Sequence, residues 1–306
     1  MKNILNYYYN LNLLEVFNLE GKYYFNINGN SYFFIPFERP IGDLKSINNL
    51  CNEIKKRNIL TNTIEMNKYN QLFTMVDEIP YVLIKDNSRK TLININDILY
   101  IQNNSLNISN DIKLYRNDWI KMWEIKIDYY ESQTNNSFSK YPLLRQTLDY
   151  YIGLGENAIS YLVNNNINIK NVVLSHRRIN SNCTSFDFYN PINYIIDNRV
   201  RDFAEYIKSI FFEVGITSDI FNNYLNNFNF TRDEYILLIA RLLFPTYYFD
   251  KYDEIVNNRL DESIIKNVLN KNNEYIIFLK NTLYYIIYTK KINIPFIDWI
   301  FRYPNL

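Results

Sequence analysis

Residues 171–197 read NVVLSHRRINSNCTSFDFYNPINYIID, and this insert decides the fold because it interrupts an otherwise helical region of the chain. Its apolar runs are short enough for strands, and the stretch between them is rich in asparagine and contains Pro191. We therefore predict strand and loop structure here. The insert carries His176, the only histidine, followed directly by Arg177 and Arg178. A lone histidine after an apolar run is a candidate general base, and its neighbours decide whether it can act as one.

The region that precedes the long helices has the pattern of strands. Residues 13–38 contain three apolar and aromatic runs separated by turn residues, which predicts a meander. Residues 43–58 place apolar side chains at helical spacing, with Asp43 as the predicted N-cap. Two further strands are predicted in QLFTMVD and YVLIK. We therefore expect a small lobe of five strands with one helix inserted after the third.

Beyond Lys85 and Asp86 the periodicity becomes helical. Residues 111–133 and 143–165 carry long apolar stripes at helical spacing on the N-terminal side of the insert. The chain is helical again after the insert, with Thr231 as a predicted N-cap and Pro245 ending that helix. The predicted fold class is α+β, with an antiparallel β-rich N-terminal lobe over residues 1–86 and a larger helical lobe over residues 87–306.

Composition argues against several classes of function. The chain has 33 basic and 32 acidic residues, a formal net charge of +1, so we expect no nucleic-acid partner. Cys51 and Cys183 lie far apart and predict neither a disulfide framework nor a zinc site. The N-terminal segment lacks a secretory apolar core, and the most apolar C-terminal segment is interrupted by Lys280 and Asn281. We expect a soluble protein made in the cytoplasm, with no membrane span.

The order of the lobes is that of the protein-kinase-like and aminoglycoside-phosphotransferase-like folds. Such an enzyme needs a close-fitting phosphate loop, a lysine on the third strand and a His-x-Asp loop whose aspartate accepts the substrate proton. None of the six glycines lies in a G-x-G-x-x-G arrangement. The predicted third strand, SYFFIPF, has aromatic and aliphatic side chains where the lysine is expected. Both usual sources of phosphate anchoring are therefore missing.

The catalytic-type loop departs from the same pattern. Arg178 stands where the catalytic aspartate is expected, and a guanidinium stays protonated and cannot accept a proton. Asn182 is one place short of the metal-binding asparagine, whose aligned position is Cys183. Asp197 matches the second metal-binding aspartate, but a single carboxylate is a poor magnesium site. For Asp197, magnesium binding and a structural salt bridge both stay open.

Each of these residues also has a structural interpretation. For His176 we favour a hydrogen bond to a backbone carbonyl over general-base catalysis, because the residues beside it are cationic. Arg178 could bind a phosphate or a partner's carboxylate, but we favour an internal ion pair with Asp197 or Asp202. Asp202 is predicted to anchor the loop from the start of the next helix, and Arg201 to be ion-paired or solvated.

Several segments together resemble the YutH branch of the CotS-like spore coat proteins, within the kinase-like phosphotransferase superfamily. These segments are YYIGLGENAISYL, LSHRRI, IIDNRVRDFAEYIKSIFF and ARLLFPTYYFD. The resemblance spans nearly the whole chain and is most specific at SHRR, D-x-R-x-RD-x-AEYI and LFP. It implies a two-lobed kinase-like fold and a spore coat protein with a degenerate active site, formed by His176, Arg177, Arg178 and Asn182.

The leading hypothesis is therefore a pseudokinase that acts in the spore coat through contacts with other coat proteins and needs no cofactor. One alternative is an active phosphotransferase with relocated catalytic groups such as Asp187 or Asp197. Another is a pseudokinase that binds ATP and magnesium without turnover, with Lys85 and Asp86 at the nucleotide hinge and Asp197 as a relic metal ligand.

Overall fold

The computed structural model describes residues 1–19, 21–88, 91–108, 111–116, 118–133 and 140–304. Contacts divide the chain into two units, each formed by two segments. Unit 1 comprises Met1–Arg116 and Asn171–Asp197, and unit 2 comprises Asn117–Lys170 and Asn198–Leu306. The insert is thus grouped with the β-rich N-terminal region. The lobe boundary placed at residue 86 stays a prediction.

The strands of the described residues all lie in unit 1. The larger sheet is antiparallel and has the order β1-β2-β3-β6-β4, with β5 also paired to β6. The insert supplies a separate antiparallel pair, β7 with β8. The strands are β1 (Phe17–Leu19), β2 (Lys22–Ile27), β3 (Asn30–Pro36), β4 (Thr63–Glu65), β5 (Thr74–Val76), β6 (Ile79–Asp86), β7 (Val173–His176) and β8 (Tyr194–Asp197).

Helices occur in both units. In the described residues the α-helices are α1 (Lys2–Tyr9), α2 (Asp43–Lys56), α3 (Ile95–Asn104), α4 (Trp119–Gln133), α5 (Pro142–Asn165), α6 (Ser185–Phe188), α7 (Val200–Ser209), α8 (Ser218–Asn226), α9 (Arg232–Leu243), α10 (Thr246–Val256), α11 (Ile265–Tyr284) and α12 (Asp298–Phe301). Short 3₁₀-helices occupy Ile112–Leu114, Pro191–Asn193 and Glu262–Ile264, and π-helical turns follow α7 and α11.

The predicted meander is present and is closed by the expected tight turn. The β2–β3 hairpin turns through Asn28 and Gly29, whose φ angles of 49° and 75° both lie in the left-handed region. Asparagine and glycine tolerate that region, and two such residues give the hairpin turn that matches the twist of the strands. The sheet is then buried on both faces, because Phe34 and Ile35 are successive residues of β3 and are 0% and 3% exposed.

Unit 1 contains elements that the sequence did not predict, among them α1, β4 and the short helix α6 within the insert. Leu5 of α1 is completely buried against Phe25, Phe34 and Leu83, so the helix covers one face of the sheet. Its eight residues are mostly tyrosine and asparagine, a composition of weak helix propensity, and packing against the sheet stabilises it. Strand β4 has three residues, too few for an alternating pattern to be recognised.

The helix predicted over residues 43–58 is confirmed as α2, although its N-cap was wrong. Gly42 is the N-cap, and Asp43 is the first helical residue. The carboxylate of Asp43 is instead engaged by Arg39, with Nε and Nη2 each 3.1 Å from Oδ2. An acidic side chain in the first turn still stabilises the helix, because its negative charge interacts favourably with the positive end of the helix dipole.

Unit 2 is built around α9, in which every residue from Glu234 to Leu243 is buried. The predicted N-cap is confirmed: the hydroxyl of Thr231 accepts the backbone N–H of Glu234, and the Glu234 carboxylate accepts the N–H of Thr231. This reciprocal pair is a capping box. The helix ends at Leu243, with Phe244 as C-cap directly before Pro245, as the sequence predicted. Among the described helices, none combines the length and apolarity needed to cross a bilayer.

Candidate functional site

His176 is held by contacts within the insert. It is 1% exposed, and its Nε2 donates to the carbonyl oxygen of Phe188 at 2.8 Å. Because a carbonyl can only accept, this bond requires the proton on Nε2. The imidazole also stacks on the ring of Phe188 at 4.2 Å and meets the edge of Tyr194. These contacts match the structural interpretation, in which His176 binds a backbone carbonyl and shapes the loop.

The residues that follow His176 are exposed. Arg177 and Arg178 both lie at the surface, and the backbone N–H of Arg177 donates to the carbonyl of Asn193 at 2.7 Å. Asn182 is also exposed, and its N–H closes a turn on the side chain of Asn180. Arg178 is therefore exposed, and its ion pair with Asp197 or Asp202 stays a prediction.

The loop is anchored to a neighbouring segment of unit 1. The N–H of Ile93 donates to the carbonyl of Cys183 at 3.0 Å, and the N–H of Ser185 donates to Thr91 at 2.7 Å. Cys183, which occupies the aligned position of the metal-binding asparagine, is 9% exposed. A thiol is a poor ligand for magnesium, which prefers oxygen. The loop is therefore fixed in place without presenting the oxygen ligand expected there.

The two carboxylates considered as relocated catalytic groups have different settings. Asp187 is half-buried, and its Oδ2 accepts the hydroxyl of Thr184 at 2.7 Å while its N–H donates back to that hydroxyl. This pairing caps the short helix α6. Asp197 ends β8 and is 0% exposed. Asp187 thus has a local structural role, and Asp197 is withdrawn from solvent.

The sheet and α2 lack the ion pair that holds ATP phosphates in kinases, a lysine paired with a helix glutamate. Strand β3 contains no lysine. Helix α2, which is described throughout, buries apolar and small side chains: Leu44, Ser46, Ile47, Leu50, Cys51 and Ile54. Its glutamate, Glu53, is 46% exposed and pairs with Lys56 on the surface. Neither member of the phosphate-anchoring pair has a counterpart at these elements.

The proposed hinge residues lie at the end of β6. Lys85 is half-buried between Tyr32 of β3 and Thr63 of β4 in the strand register. The carboxylate of Asp86 accepts both the N–H and the hydroxyl of Ser88, at 2.9 Å and 2.6 Å. Asp86 therefore stabilises the backbone of residues 86–88 at the end of β6. A nucleotide-binding role for Lys85 and Asp86 stays a prediction.

Three arginines of unit 1 converge on residues 192–196, and sequence reasoning identified only Arg177 among them. Nη1 of Arg39 donates to the carbonyls of Ile192 and Tyr194, at 3.2 Å and 2.8 Å. The backbone N–H of Arg116 donates to Ile196 at 2.9 Å. Arg39 and Arg116 lie outside any helical stripe or motif, so no sequence signal marked them. We call Arg39, Arg116 and Arg177 the arginine cluster.

The second segment of unit 2 has two ion pairs near the start of α7. Arg199 binds Glu234 through Nε and Nη2, each 2.7 Å from a carboxylate oxygen, which joins the start of α7 to that of α9. Arg201 binds Asp202 at 3.2 Å, and both side chains are buried. Arg201 is therefore ion-paired, one of the two predicted outcomes. Asp202 lies in the first turn as expected, and its anchoring of the loop stays a prediction.

A buried group of charges in unit 2 was also missed. Glu205 of α7 lies 3.0 Å from Lys208 and 3.6 Å from Arg241 of α9, and it accepts the hydroxyl of Thr246 at 2.7 Å. Lys208 also donates to the carbonyls of Arg241 and Phe244 and to Thr246. We call Glu205, Lys208 and Arg241 the buried charge cluster. It joins AEYIK to ARLLFPT, two segments that carried the sequence resemblance.

The pKa shifts in this cluster have identifiable causes. Burial by itself raises the pKa of Glu205, but the neighbouring charges of Lys208 and Arg241 and the hydrogen bonds lower it below its ordinary value. Burial lowers the pKa of Lys208, opposed by its bond to Glu205. The guanidinium of Arg241 also lies 3.9 Å from the ring centre of Trp119, a cation–π contact. Each charge of the cluster therefore has an oppositely charged neighbour inside the unit.

The residues do not fit magnesium-bound ATP in the manner of a kinase. The strand lysine and helix glutamate are replaced, Arg178 stands at the position of the base, and Cys183 stands at that of a metal ligand. Within the described parts of the chain, no three His, Cys, Asp or Glu side chains are grouped so as to hold a metal ion. Asp197, which the sequence pattern predicts as the second metal-binding aspartate, retains a carboxylate.

Comparison with solved structures defines the fold class. An aminoglycoside phosphotransferase from Alicyclobacillus acidocaldarius aligns with a TM-score of 0.64 at 10% identity, over 93% of this chain and 94% of that one. A spectinomycin phosphotransferase in complex with ADP and spectinomycin aligns with a TM-score of 0.59 at 11% identity, over 92% and 96%. The predicted two-lobed α+β kinase-like fold is confirmed. At these identities the likeness concerns the fold alone.

Comparison of sequences then defines the family. The sequence model described as "Spore coat putative kinase YutH" matches residues 2–282. The chain is also 28% identical over 155 residues to an endospore coat-associated protein YutH of Bacillus subtilis, a match that covers 43% of this chain and 44% of the relative. That aligned part is less than half of the relative's length. The chain belongs to the family of spore coat putative kinases named YutH, as the sequence resemblance indicated.

Proposed function

We propose that this protein is a non-catalytic, kinase-like component of the bacterial spore coat that acts through contacts with other coat proteins. The observation that carries the proposal is the exposed guanidinium of Arg178, at the position where the sequence pattern predicts the catalytic aspartate. A group that stays protonated cannot take the proton of a substrate hydroxyl. The coat location rests on the family and on the name of the Bacillus subtilis relative.

Three further features support the loss of phosphoryl transfer. The hydrogen bond from His176 to Phe188 fixes the proton on Nε2, so that nitrogen is a donor and not a base. The phosphate-anchoring lysine and glutamate are missing from β3 and the buried face of α2. Asp187, one candidate for a relocated base, caps α6 through Thr184. Enzymes catalyse phosphoryl transfer mainly by positioning the reactants and stabilising charge. A chain that lacks the groups which do both has no basis for this catalysis.

The first experiment is a thermal-shift titration with ATP and magnesium. A ligand that binds the native state raises the melting temperature as its concentration rises. We expect no shift at millimolar ATP. A concentration-dependent shift would replace the proposal of a purely structural protein with that of a nucleotide-binding pseudokinase, and it would point to the hinge at Lys85 and Asp86.

The second experiment separates binding from turnover. Single-turnover assays with radiolabelled ATP compare the wild type with Arg178→Asp, which restores a carboxylate at the loop position. We expect no phosphoryl transfer by either protein, because the strand lysine and the metal-binding asparagine are still missing. Transfer by the wild type would overturn the non-catalytic assignment. Transfer by Arg178→Asp alone would show that the arginine blocks chemistry that the rest of the site still supports.

The coat assignment has its own test. In a spore-forming host, a fluorescent fusion is followed through sporulation, and purified spores are extracted to release coat proteins. We expect fluorescence around the developing spore and recovery of the chain in the coat extract. Fluorescence confined to the mother-cell cytoplasm, with none in the extract, would contradict the coat location.

A further inference from the structure

One end of the larger sheet of unit 1 is open to solvent. Strand β1 stands at the end of the strand order, so it has a neighbour, β2, on one side only. All three residues of β1 are exposed. Successive residues of an antiparallel strand turn their N–H and C=O groups alternately toward and away from the neighbouring strand, so part of the backbone of β1 faces outward. This edge can therefore accept another strand.

The strand at the other end of the order, β4, has a different setting. Ile64 is 6% exposed, and Lys55 of α2 donates to the hydroxyl of Thr63 at 3.1 Å. Beside β1, by contrast, lies a groove of about 530 Å³ whose lining includes Leu14 and Val16. Strand β4 is thus packed into unit 1, whereas β1 is left open.

The open edge carries apolar side chains. Phe17 and Leu19 are 46% and 64% exposed, and they share one face of β1 because side chains alternate along a strand. The ring of Phe17 stacks on that of Tyr24 in β2, with ring centres 5.1 Å apart. Natural sheets protect such edges with charged residues or proline within the strand, and β1 has neither. Only its short length, three residues, limits its pairing.

Charged residues flank the apolar pair in an order that suits antiparallel pairing with an identical edge. Glu15 precedes Phe17, and Lys22 is paired with Leu19 across the hairpin, so the edge reads negative, apolar, apolar, positive. Both charged residues are exposed, and within the described part of the chain no hydrogen bond or ion pair engages their side chains. A second copy that runs in the opposite direction places opposite charges together at both ends.

We propose that β1 is an interface for a second copy of this chain, in which the two β1 strands pair antiparallel about a twofold axis at Asn18. Asn18 is the middle residue of β1, so this register sets Phe17 beside the partner's Leu19 and repeats that contact by symmetry. Glu15 then lies opposite position 21, next to the partner's Lys22. A closed twofold contact gives a dimer and does not propagate to further copies.

The first measurement is sedimentation equilibrium of the full-length protein. We expect the mass to rise from that of one chain to that of two between about 1 μM and about 1 mM, because a short edge supplies few backbone hydrogen bonds. Leu19→Lys places a charge beside the partner's Phe17 and should weaken association about tenfold.

Val163→Lys is the matched control for Leu19→Lys, because it makes the same kind of change at an apolar side chain that is 53% exposed on α5 of unit 2. It should associate as the wild type does. Circular dichroism melting first establishes that both variants are folded.

Charge reversal tests the antiparallel register. Glu15→Lys and Lys22→Glu each bring like charges together at both ends of the interface, and each should weaken association about fivefold. The double variant restores opposite charges and should associate within about twofold of the wild type. A double variant that is no better than the single ones would overturn the proposed pairing.

A cysteine at the axis tests the geometry directly. Directly opposite residues in antiparallel strands have Cα atoms about 5.5 Å apart at a hydrogen-bonded pair, which is within reach of a disulfide. The native Cys51 and Cys183 are both buried. Asn18→Cys should therefore form a disulfide-linked dimer under mild oxidation, seen on a non-reducing gel, whereas Val163→Cys should not.

Three further results would overturn the proposal: a wild type that stays monomeric up to about 1 mM, equal losses in Leu19→Lys and Val163→Lys, or no more cross-linking of Asn18→Cys than of the cysteine control. A chain that stays monomeric but binds a labelled peptide of alternating valine and threonine would also overturn it, and would assign the edge to a strand of a different protein. None of these results bears on the ATP experiments, so failure of this dimer leaves the proposed function standing.

Discussion

The molecule contains two groups of cationic side chains that are used in opposite ways. In the buried charge cluster of unit 2, Lys208 and Arg241 are each 1% exposed and both lie within 4 Å of Glu205. In the arginine cluster of unit 1, Arg116 and Arg177 are exposed. Buried cations cost stability when their counter-charge is removed, whereas exposed ones are screened by water. The difference teaches that the charges of the buried charge cluster contribute to the packing of unit 2, whereas the charges of Arg116 and Arg177 lie at the surface of unit 1.

The largest expected effect is on the buried charge cluster. Replacing Glu205 by glutamine leaves Lys208 and Arg241 buried without their carboxylate, which should lower the free energy of unfolding by about 3 kcal/mol. The value is at the lower end for a broken buried pair because the Glu205 side chain is 19% exposed. Urea denaturation followed by circular dichroism measures it.

The matched control for this variant is Glu156→Gln, which removes the same charge from an exposed position of α5. It should change the free energy of unfolding by less than about 0.5 kcal/mol. Equal stability of the two variants would show that the buried charge cluster does not specify packing, and the contrast between the units would fail.

The second expected effect is a pH dependence of the free energy of unfolding that arises from the Glu205 carboxylate. Its neighbours hold the pKa of Glu205 below the ordinary value of 4.5, so the folded state binds its proton less readily than the unfolded state. The stabilisation is fully present above the unfolded pKa and is lost as pH falls through the folded pKa. From about pH 5 to about pH 3, the wild type should therefore lose more stability than Glu205→Gln. Parallel losses in the two proteins would contradict this assignment.

The sequence predicted the parts of the fold that depend on local pattern. The turn at Asn28 and Gly29, helix α2 and the Thr231 cap each follow from the spacing of a few neighbouring residues. Helix α1 was missed because its stability comes from packing against the sheet, which no local pattern reveals.

The candidate site was likewise predictable only where the information lies in neighbouring residues of the sequence. The identities at Arg178 and Cys183 could be read directly, because they are departures at known positions of a motif. The bond between Glu205 and Arg241 joins residues that are 36 positions apart, and the bond from Arg39 to Tyr194 spans 155. Such pairs depend on tertiary structure, and sequence spacing carries no signal for them.

The third effect concerns His176, which belongs to unit 1 but is buried like the charges of unit 2. His176→Phe keeps an aromatic ring against Phe188 but removes the donor that satisfies the Phe188 carbonyl. Leaving that buried acceptor unsatisfied should cost about 1–3 kcal/mol of unfolding free energy, measured by urea denaturation. Stability equal to the wild type would show that the hydrogen bond does not hold the insert, and would reopen a chemical role for the imidazole.

The smallest effect is expected at Arg178, two residues from His176. Arg178→Gln alters an exposed side chain, so the free energy of unfolding should stay within about 0.5 kcal/mol of the wild type. The His176 variant serves as the comparison, since both residues lie in the insert, His176 buried at the end of β7 and Arg178 exposed just beyond it. A loss above about 2 kcal/mol at Arg178 would mean that it makes the strong internal ion pair predicted with Asp197 or Asp202. That result would show that Arg178, although exposed, stabilises the fold as the buried charges of unit 2 do.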